Sequence, residues 1–285
     1  MYNSHMHWLA FAGISVLAFS TATLFQRLAM KEEHSDPVTS SIIFQFLLGL
    51  GSTIIAIFVG FHMPPAYLWP YLLAAGALYA SGSVLFFRSI KMIEASELAI
   101  LGGFGTLVTL VIAFFFLSER LTPVQWIGAI FILAAIVIVK YERRNFRYNK
   151  GVLFALLGTS CYGLAIVFDG YNLKSYDAIS YLPVMSFIPG IMLLLSFPRH
   201  IPKLVQDARK INIHLGIYSF LYVISAETFY LPIQNGALVS QMTTIGRISI
   251  ILTVILAMIF LKERSHPGKK FVGAMLATLG ILLIK

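Results

Sequence analysis

The chain alternates between long, uninterrupted apolar runs and short polar connections. Ten runs stand out, at residues 8–27, 38–60, 66–87, 97–117, 122–139, 151–168, 178–197, 213–232, 236–261 and 271–284. Most reach the roughly 20 residues that a helix needs to cross about 30 Å of hydrocarbon. Apolar positions are continuous within each run rather than alternating, and the runs are too long for barrel strands, so the pattern predicts helices. The tenth run is short, and Lys269, Lys270 and Lys285 at its ends are expected to snorkel toward the headgroups. The expected fold class is all-α: a polytopic membrane protein with ten transmembrane helices.

Composition supports this reading. Hydrophobic residues make up 58% of the chain and charged residues 12%, with a mean hydropathy of +0.84. A soluble domain carries roughly twice that charged share. The connections are short, so no soluble domain is expected. The opening MYNSHMH has no Lys or Arg, which argues against a signal peptide. Cys161 is the single cysteine and lies inside a run, leaving no disulfide framework and no CxxC metal site.

The net charge of +9 is explained by where the basic residues fall. Ten helices put both termini on one face, here the terminal face. Its connections and ends hold three Lys or Arg residues, Arg120, Lys174 and Lys285. The opposite face, here the basic face, holds seventeen of the 21, and Arg247 lies inside the ninth run. The positive-inside rule makes the basic face cytoplasmic and puts both termini outside. The expected location is the plasma membrane of a prokaryote (the inner membrane), as a multi-pass protein.

The chain also repeats itself. Gly13-x-Ser15 recurs as Gly158-x-Ser160, Asp36 as Asp177, Phe46-x-x-Gly49 as Phe187-x-x-Gly190, Leu78-Tyr79 as Leu221-Tyr222, and Glu119-Arg120 as Glu263-Arg264. The matches run in order at offsets of 141 to 145 residues, half the chain. They divide it into two five-helix repeats, 1–148 and 149–285, forming one compact membrane domain. Five is odd, so the second unit enters the membrane inverted, an architecture common among secondary transporters.

The clearest echo also carries a resemblance. Phe-Leu-Ser-Glu-Arg-Leu-Thr-Pro-x-Gln-Trp-Ile-Gly, residues 116–128, resembles the hallmark segment of the EamA-type carriers of the drug/metabolite transporter superfamily. The copy from Phe260 to Gly273 resembles it less closely, with Ser-His-Pro for Leu-Thr-Pro and Lys-Lys for Gln-Trp. The resemblance implies a secondary carrier of small metabolites, often an exporter. It also marks a departure: ten-helix members are usually drawn with cytoplasmic termini, whereas the charge bias here puts them outside.

Several residues are candidates for a site. Glu227 and Arg247 each lie inside a run, where a charge costs about 2.5–3.5 kcal/mol by insertion scales and so should face the bundle interior. Arg247 suits a carboxylate or phosphate and Glu227 an amine or proton; a static ion pair between them is the structural alternative. Their repeat counterparts are Val84 and Phe104, so these charges are not duplicated. Ser160, Tyr162 and Gln45, with the repeat-matched Tyr79 and Tyr222, are expected to line a central cavity, or else to make hydrogen bonds between helices. Glu119 and Glu263 fall at the hinges between runs and are read as hinge or cap residues favoured by a helix dipole. Thr122 as N-cap, Pro123 at N1 and Gln125 at N3 predict a capping box.

Enzyme readings fare poorly. The chain has no HExxH, GxSxG or P-loop sequence, so no catalytic residue, metal or cofactor is expected. The expected function is secondary transport of a small polar or amphipathic metabolite, amino-acid-like or an organic anion, by alternating access. The alternative is a channel or a non-transporting membrane scaffold. The expected partners are a small-molecule substrate and the lipid bilayer, with no nucleic acid; coupling to a proton or counter-substrate and assembly as a homodimer stay open.

Overall fold

The computed structural model describes residues 4–116, 122–140, 149–202, 204, 212–234, 245–246, 248–263 and 265–284. Within them lie helices α1 (Ser4–Lys31), α2 (Pro37–Val59), α3 (Trp69–Met92), α4 (Ala95–Leu101), α5 (Phe104–Phe116), α6 (Pro123–Lys140), α7 (Lys150–Asn172), α8 (Ala178–Ser196), α9 (Ile213–Gln234), α10 (Ile248–Phe260) and α11 (Pro267–Ile284), and the described residues form no strand. Helices α4 and α5 share the fourth apolar run, so the fold is all-α with ten spans. The spans containing α1, α2, α3, α7 and α8 are long and apolar enough to cross a bilayer outright. Outward faces are apolar: Phe58 is 86% exposed, Leu195 74% and Phe220 65%, as lipid contact requires.

The helix starts follow local chemistry. Asp36 caps α2 by accepting from Thr39 N at 2.8 Å, and its repeat partner Asp177 caps α8 by accepting from Ser180 N at the same distance. Asn149 accepts from Gly151 N, and Asn212 from His214 N, both at 2.9 Å, at the starts of α7 and α9. Helix α2 ends at Gly60, whose φ of +122° is open to glycine and strained for other residues.

The halves interlock rather than stand side by side. The principal pairings are α3 with α7, α1 with α9, α2 with α8 and α6 with α11, each joining one repeat to the other. Exchanging every helix for its repeat partner turns the α3–α7 pair into α9–α1 and returns the other two pairs to themselves. That is the symmetry of two inverted repeats about a pseudo-twofold axis. The sequence echo Phe-x-x-Gly meets itself at this axis. A Cβ on Gly49 would lie 2.9 Å from the Phe187 ring and one on Gly190 3.4 Å from the Phe46 ring, so each phenylalanine seats over the other repeat's glycine. Ser15 and Ser225 exchange bonds across α1–α9, Ser15 Oγ to Ser225 O at 2.8 Å and Ser225 Oγ to Ser15 O at 3.0 Å. At the matching α3–α7 crossing, Gly82 and Gly158 bring the backbones together instead.

The structure differs from the hydropathy pattern in three places. First, the fourth run is not one continuous helix over 97–117. It breaks at Gly102–Gly103, where Gly103, Gly105 and Thr106 switch to i→i+3 bonds. Three glycines weaken the helix there, and α7 supplies a partner: Thr159 Oγ1 donates to Gly102 O at 3.3 Å, while Thr109 Oγ1 of α5 donates in return to Gly163 O of α7 at 2.9 Å. Irregular backbone at membrane depth needs such partners. Second, α1 runs on to Lys31 and α7 to Asn172, beyond the expected ends at 27 and 168. The pattern stops at Arg27 and Asp169 because they are charged; the helices continue because other spans satisfy those charges. Third, Lys270 does not snorkel. It is buried and pairs with Glu94 at the start of α4.

Candidate functional site

Two cavities lie between the halves. The smaller, about 80 Å³, is lined by Gln45 of α2, Tyr79 of α3, Tyr162 of α7, Tyr181 of α8, and Tyr222 and Tyr230 of α9, among others. The larger, about 420 Å³, is walled by α1, α3, α4, α5, α7, α9 and α10, with Thr23, Gln26, Thr106, Thr109, Thr159 and Thr253 among its neutral polar groups. Counting about 1.5 Å per residue along the helices, Tyr181 and Tyr230 lie about 5–6 Å from the terminal-face helix ends. By the same rise, Leu98 and Tyr218 of the large cavity lie about 5–8 Å from the basic-face ends. The cavities therefore approach the middle of the bundle from opposite faces, and Tyr162 and Tyr222 line both.

Those two tyrosines sit in an aromatic layer. Tyr162 packs edge-on against Tyr79 and Phe86, with centroids 5.4 and 4.9 Å apart, and Tyr222 packs edge-on against Phe44 at 5.1 Å. Offset and edge-to-face contacts of this kind hold rings in fixed positions. No described Lys, Arg or His lines either cavity.

Of the residues the sequence singles out, Gln45, Tyr79, Tyr162 and Tyr222 converge on the small cavity. Ser160 does not: its hydroxyl donates to Leu156 O in its own helix at 2.7 Å, and the neighbouring Thr159, about 100° round the helix, faces the large cavity instead. Glu227 is 8% exposed and lines neither cavity, and its Oε1 has no hydrogen-bond partner among the described residues. It directly follows Ala226, which does line the small cavity. Arg247 and Glu119 lie outside the described residues. Thr122 and Gln125 exchange bonds at the start of α6: Thr122 N donates to Gln125 Oε1 at 2.8 Å, and Gln125 N to Thr122 Oγ1 at 3.3 Å.

Glu263 caps a helix, but not the one that follows it in sequence. Its buried carboxylate accepts from Ala95 N at 2.9 Å, Ser96 N at 3.0 Å and Ser96 Oγ at 2.6 Å, at the start of α4 in the other repeat. Arg27 Nε lies 3.9 Å from it. Glu94 answers from the first repeat, accepting from Ser265 Oγ at 2.8 Å and pairing with Lys270. Lys262 and His266 bracket this turn with φ of 54° and 46°, uncommon for residues other than glycine. The two halves are thus tied to each other at the basic face, beside Leu98 and Ala99 of the large cavity.

One residue escapes the sequence reading altogether. Asp169 of α7 is 6% exposed, and its carboxylate accepts from the hydroxyls of both Tyr79 and Tyr181. Its position just past an apparent span end makes it look like a loop acid. The available signal is the repeat: offsets of 141 to 145 map it onto residues 24–28, Leu-Phe-Gln-Arg-Leu, where no acid stands.

Comparison with known proteins agrees with this architecture. A solved crystal structure aligns over 94% of this chain and 97% of its own length, at 14% sequence identity and a TM-score of 0.61, a likeness of fold. The spermidine export protein MdtI of Salmonella paratyphi B and that of Salmonella newport are each 35% identical over 71 residues, 25% of this chain. The match spans 64% of the length of those relatives. The family model of the EamA-like transporter family matches twice, over residues 6–141 and 149–285. With nearly the whole chain covered by two copies of that model, the protein belongs to the EamA-like transporter family and is a multi-pass membrane protein.

Proposed function

We propose that this chain is a secondary carrier that exports a small polar or amphipathic metabolite by alternating access. The repeats 1–148 and 149–285 are the two bodies whose relative movement opens one face and closes the other. The observation that carries the reading is the pair of cavities approaching from opposite faces and sharing Tyr162 and Tyr222. A substrate held at that layer needs only a small rearrangement of the halves to change the face it can leave from. Family membership and the partial likeness to spermidine export proteins favour export. The charge bias favours the plasma membrane of a prokaryote, with the basic face in the cytoplasm. Arg247 stays in this reading as the candidate for an anionic end of the substrate, and Glu227 as the candidate for proton coupling.

The test is flux in liposomes containing the purified protein, over a panel of amines, amino acids, organic anions and sugars. A carrier gives flux that saturates with concentration and is accelerated by unlabelled substrate on the opposite side. Flux that stays linear with concentration and shows no counterflow identifies a channel and refutes the proposal.

A further inference from the structure

We infer that the small cavity is a subsite for a primary ammonium group, built by Asp169 and the tyrosines in front of it; the inference rests on the carrier reading above. Asp169 does not touch the cavity. Tyr79 and Tyr181, which do, both donate their hydroxyl protons to its carboxylate. A phenol has one proton to give. With both protons turned toward Asp169, the two phenolic oxygens present only lone pairs to anything entering the cavity.

A ligand facing these two oxygens must therefore supply the protons. An ammonium group has three donors and no acceptor, and suits them. A carboxylate brings acceptors only and would meet lone pairs backed by a negative charge. The charge balance points the same way. Asp169 has no ion-pair partner among the described residues, and Glu227 lies beside the same cavity with one oxygen unpartnered. Tyr162, Tyr222 and Tyr230 line the rest of this space of about 80 Å³, and aromatic side chains are favourable neighbours for a cation. The volume admits an ammonium head and its first carbons. The remainder of the molecule passes Tyr162 and Tyr222 into the larger cavity, whose polar lining is neutral. The substrate class is thus an aliphatic amine with an uncharged or weakly polar body, and Asp169 sets its head-group specificity.

The experiment is ligand-induced thermal stabilisation of the purified full chain, with four-carbon probes that differ in the head group: butylamine, 1,4-diaminobutane, butanol and butanoate. Saturable stabilisation by butylamine is expected, weaker stabilisation by 1,4-diaminobutane because its second charge meets neutral lining, and none by butanol or butanoate. Asp169→Asn should weaken the amines at least tenfold, and Tyr181→Phe should weaken them several-fold with the fold intact. Stabilisation by butanoate but not by butylamine overturns the inference, as does unchanged amine affinity in Asp169→Asn. If Asp169→Asn is not monodisperse, Tyr181→Phe and the wild-type selectivity decide. The carrier reading fails separately: amines that bind saturably without counterflow leave the subsite standing and remove the carrier. Counterflow of anions alone does the reverse.

Discussion

Replacing Glu263 with Gln tests whether the two repeats are tied together at the basic face. The carboxylate, whose side chain is 3% exposed, accepts three bonds from the start of α4 and lies beside Arg27. Gln keeps the volume, but its amide has one acceptor oxygen in place of two. At least one backbone donor of Ala95 or Ser96 then loses its partner, and Arg27 loses a counter-charge. Hydrogen bonds to charged groups contribute about 1.5–3 kcal/mol each, and removing one member of a buried ion pair costs about 3–5 kcal/mol. Arg27 also donates to Ile90 O, which keeps part of its environment intact. Because the Arg27 pair is long at 3.9 Å and partly compensated, the loss falls between one charged hydrogen bond and a fully broken buried pair, about 2–4 kcal/mol. At roughly 2–4 °C per kcal/mol, thermal unfolding in detergent should fall by on the order of 5–15 °C. Thr122→Ala, at an exposed capping box of the first repeat, is the control and should cost about 0.5–2 kcal/mol. The assay is the temperature at which half the protein leaves the monodisperse peak of a sizing column. Ser96→Ala combined with Glu263→Gln should be less destabilising than the sum of the single changes, because both remove the same contact. A Glu263→Gln shift no larger than that of Thr122→Ala, or strict additivity with Ser96→Ala, would refute the inter-repeat tie.

Other outcomes follow from the packing and the charges. Gly49→Ala should destabilise the protein by pressing on the Phe187 ring, and Phe187→Leu in the same chain should restore part of the loss; thermal unfolding of the three variants reads this out. Gly163→Ala places a Cβ 2.5 Å from Gly105 O, against backbone that cannot move aside, so folded protein recovered from membranes should drop sharply. Reporter fusions at each terminus check the orientation: a reporter that fluoresces only in the cytoplasm should stay dark at both ends, and a bright one overturns the charge-based topology. Arg247→Ala should abolish flux in liposomes while the protein still inserts, and normal flux would remove Arg247 from the site.

The sequence by itself determined the ten spans, their division into two repeats and the family. Each rests on a property that accumulates along the chain: runs of apolar residues long enough to cross a bilayer, and echoes in order at a steady offset. It also brought out Gln45, Tyr79, Tyr162 and Tyr222, because polar and aromatic groups inside apolar runs are few and need a purpose. Tertiary structure alone decided where charge is tolerated. Asp169 and Arg27 look like span ends because a charge beside hydrocarbon is costly, yet both lie on helices that continue, satisfied by groups far away in sequence: Tyr79 for Asp169, and Ile90 O with Glu263 for Arg27. Glu263 reads as a cap for the helix after it and in fact caps α4, 168 residues earlier. The break at Gly102 likewise needs Thr159, from the other repeat, to satisfy the Gly102 carbonyl. Hydropathy measures how each residue partitions alone; whether a buried polar group is affordable depends on its partner, and only the folded arrangement supplies that.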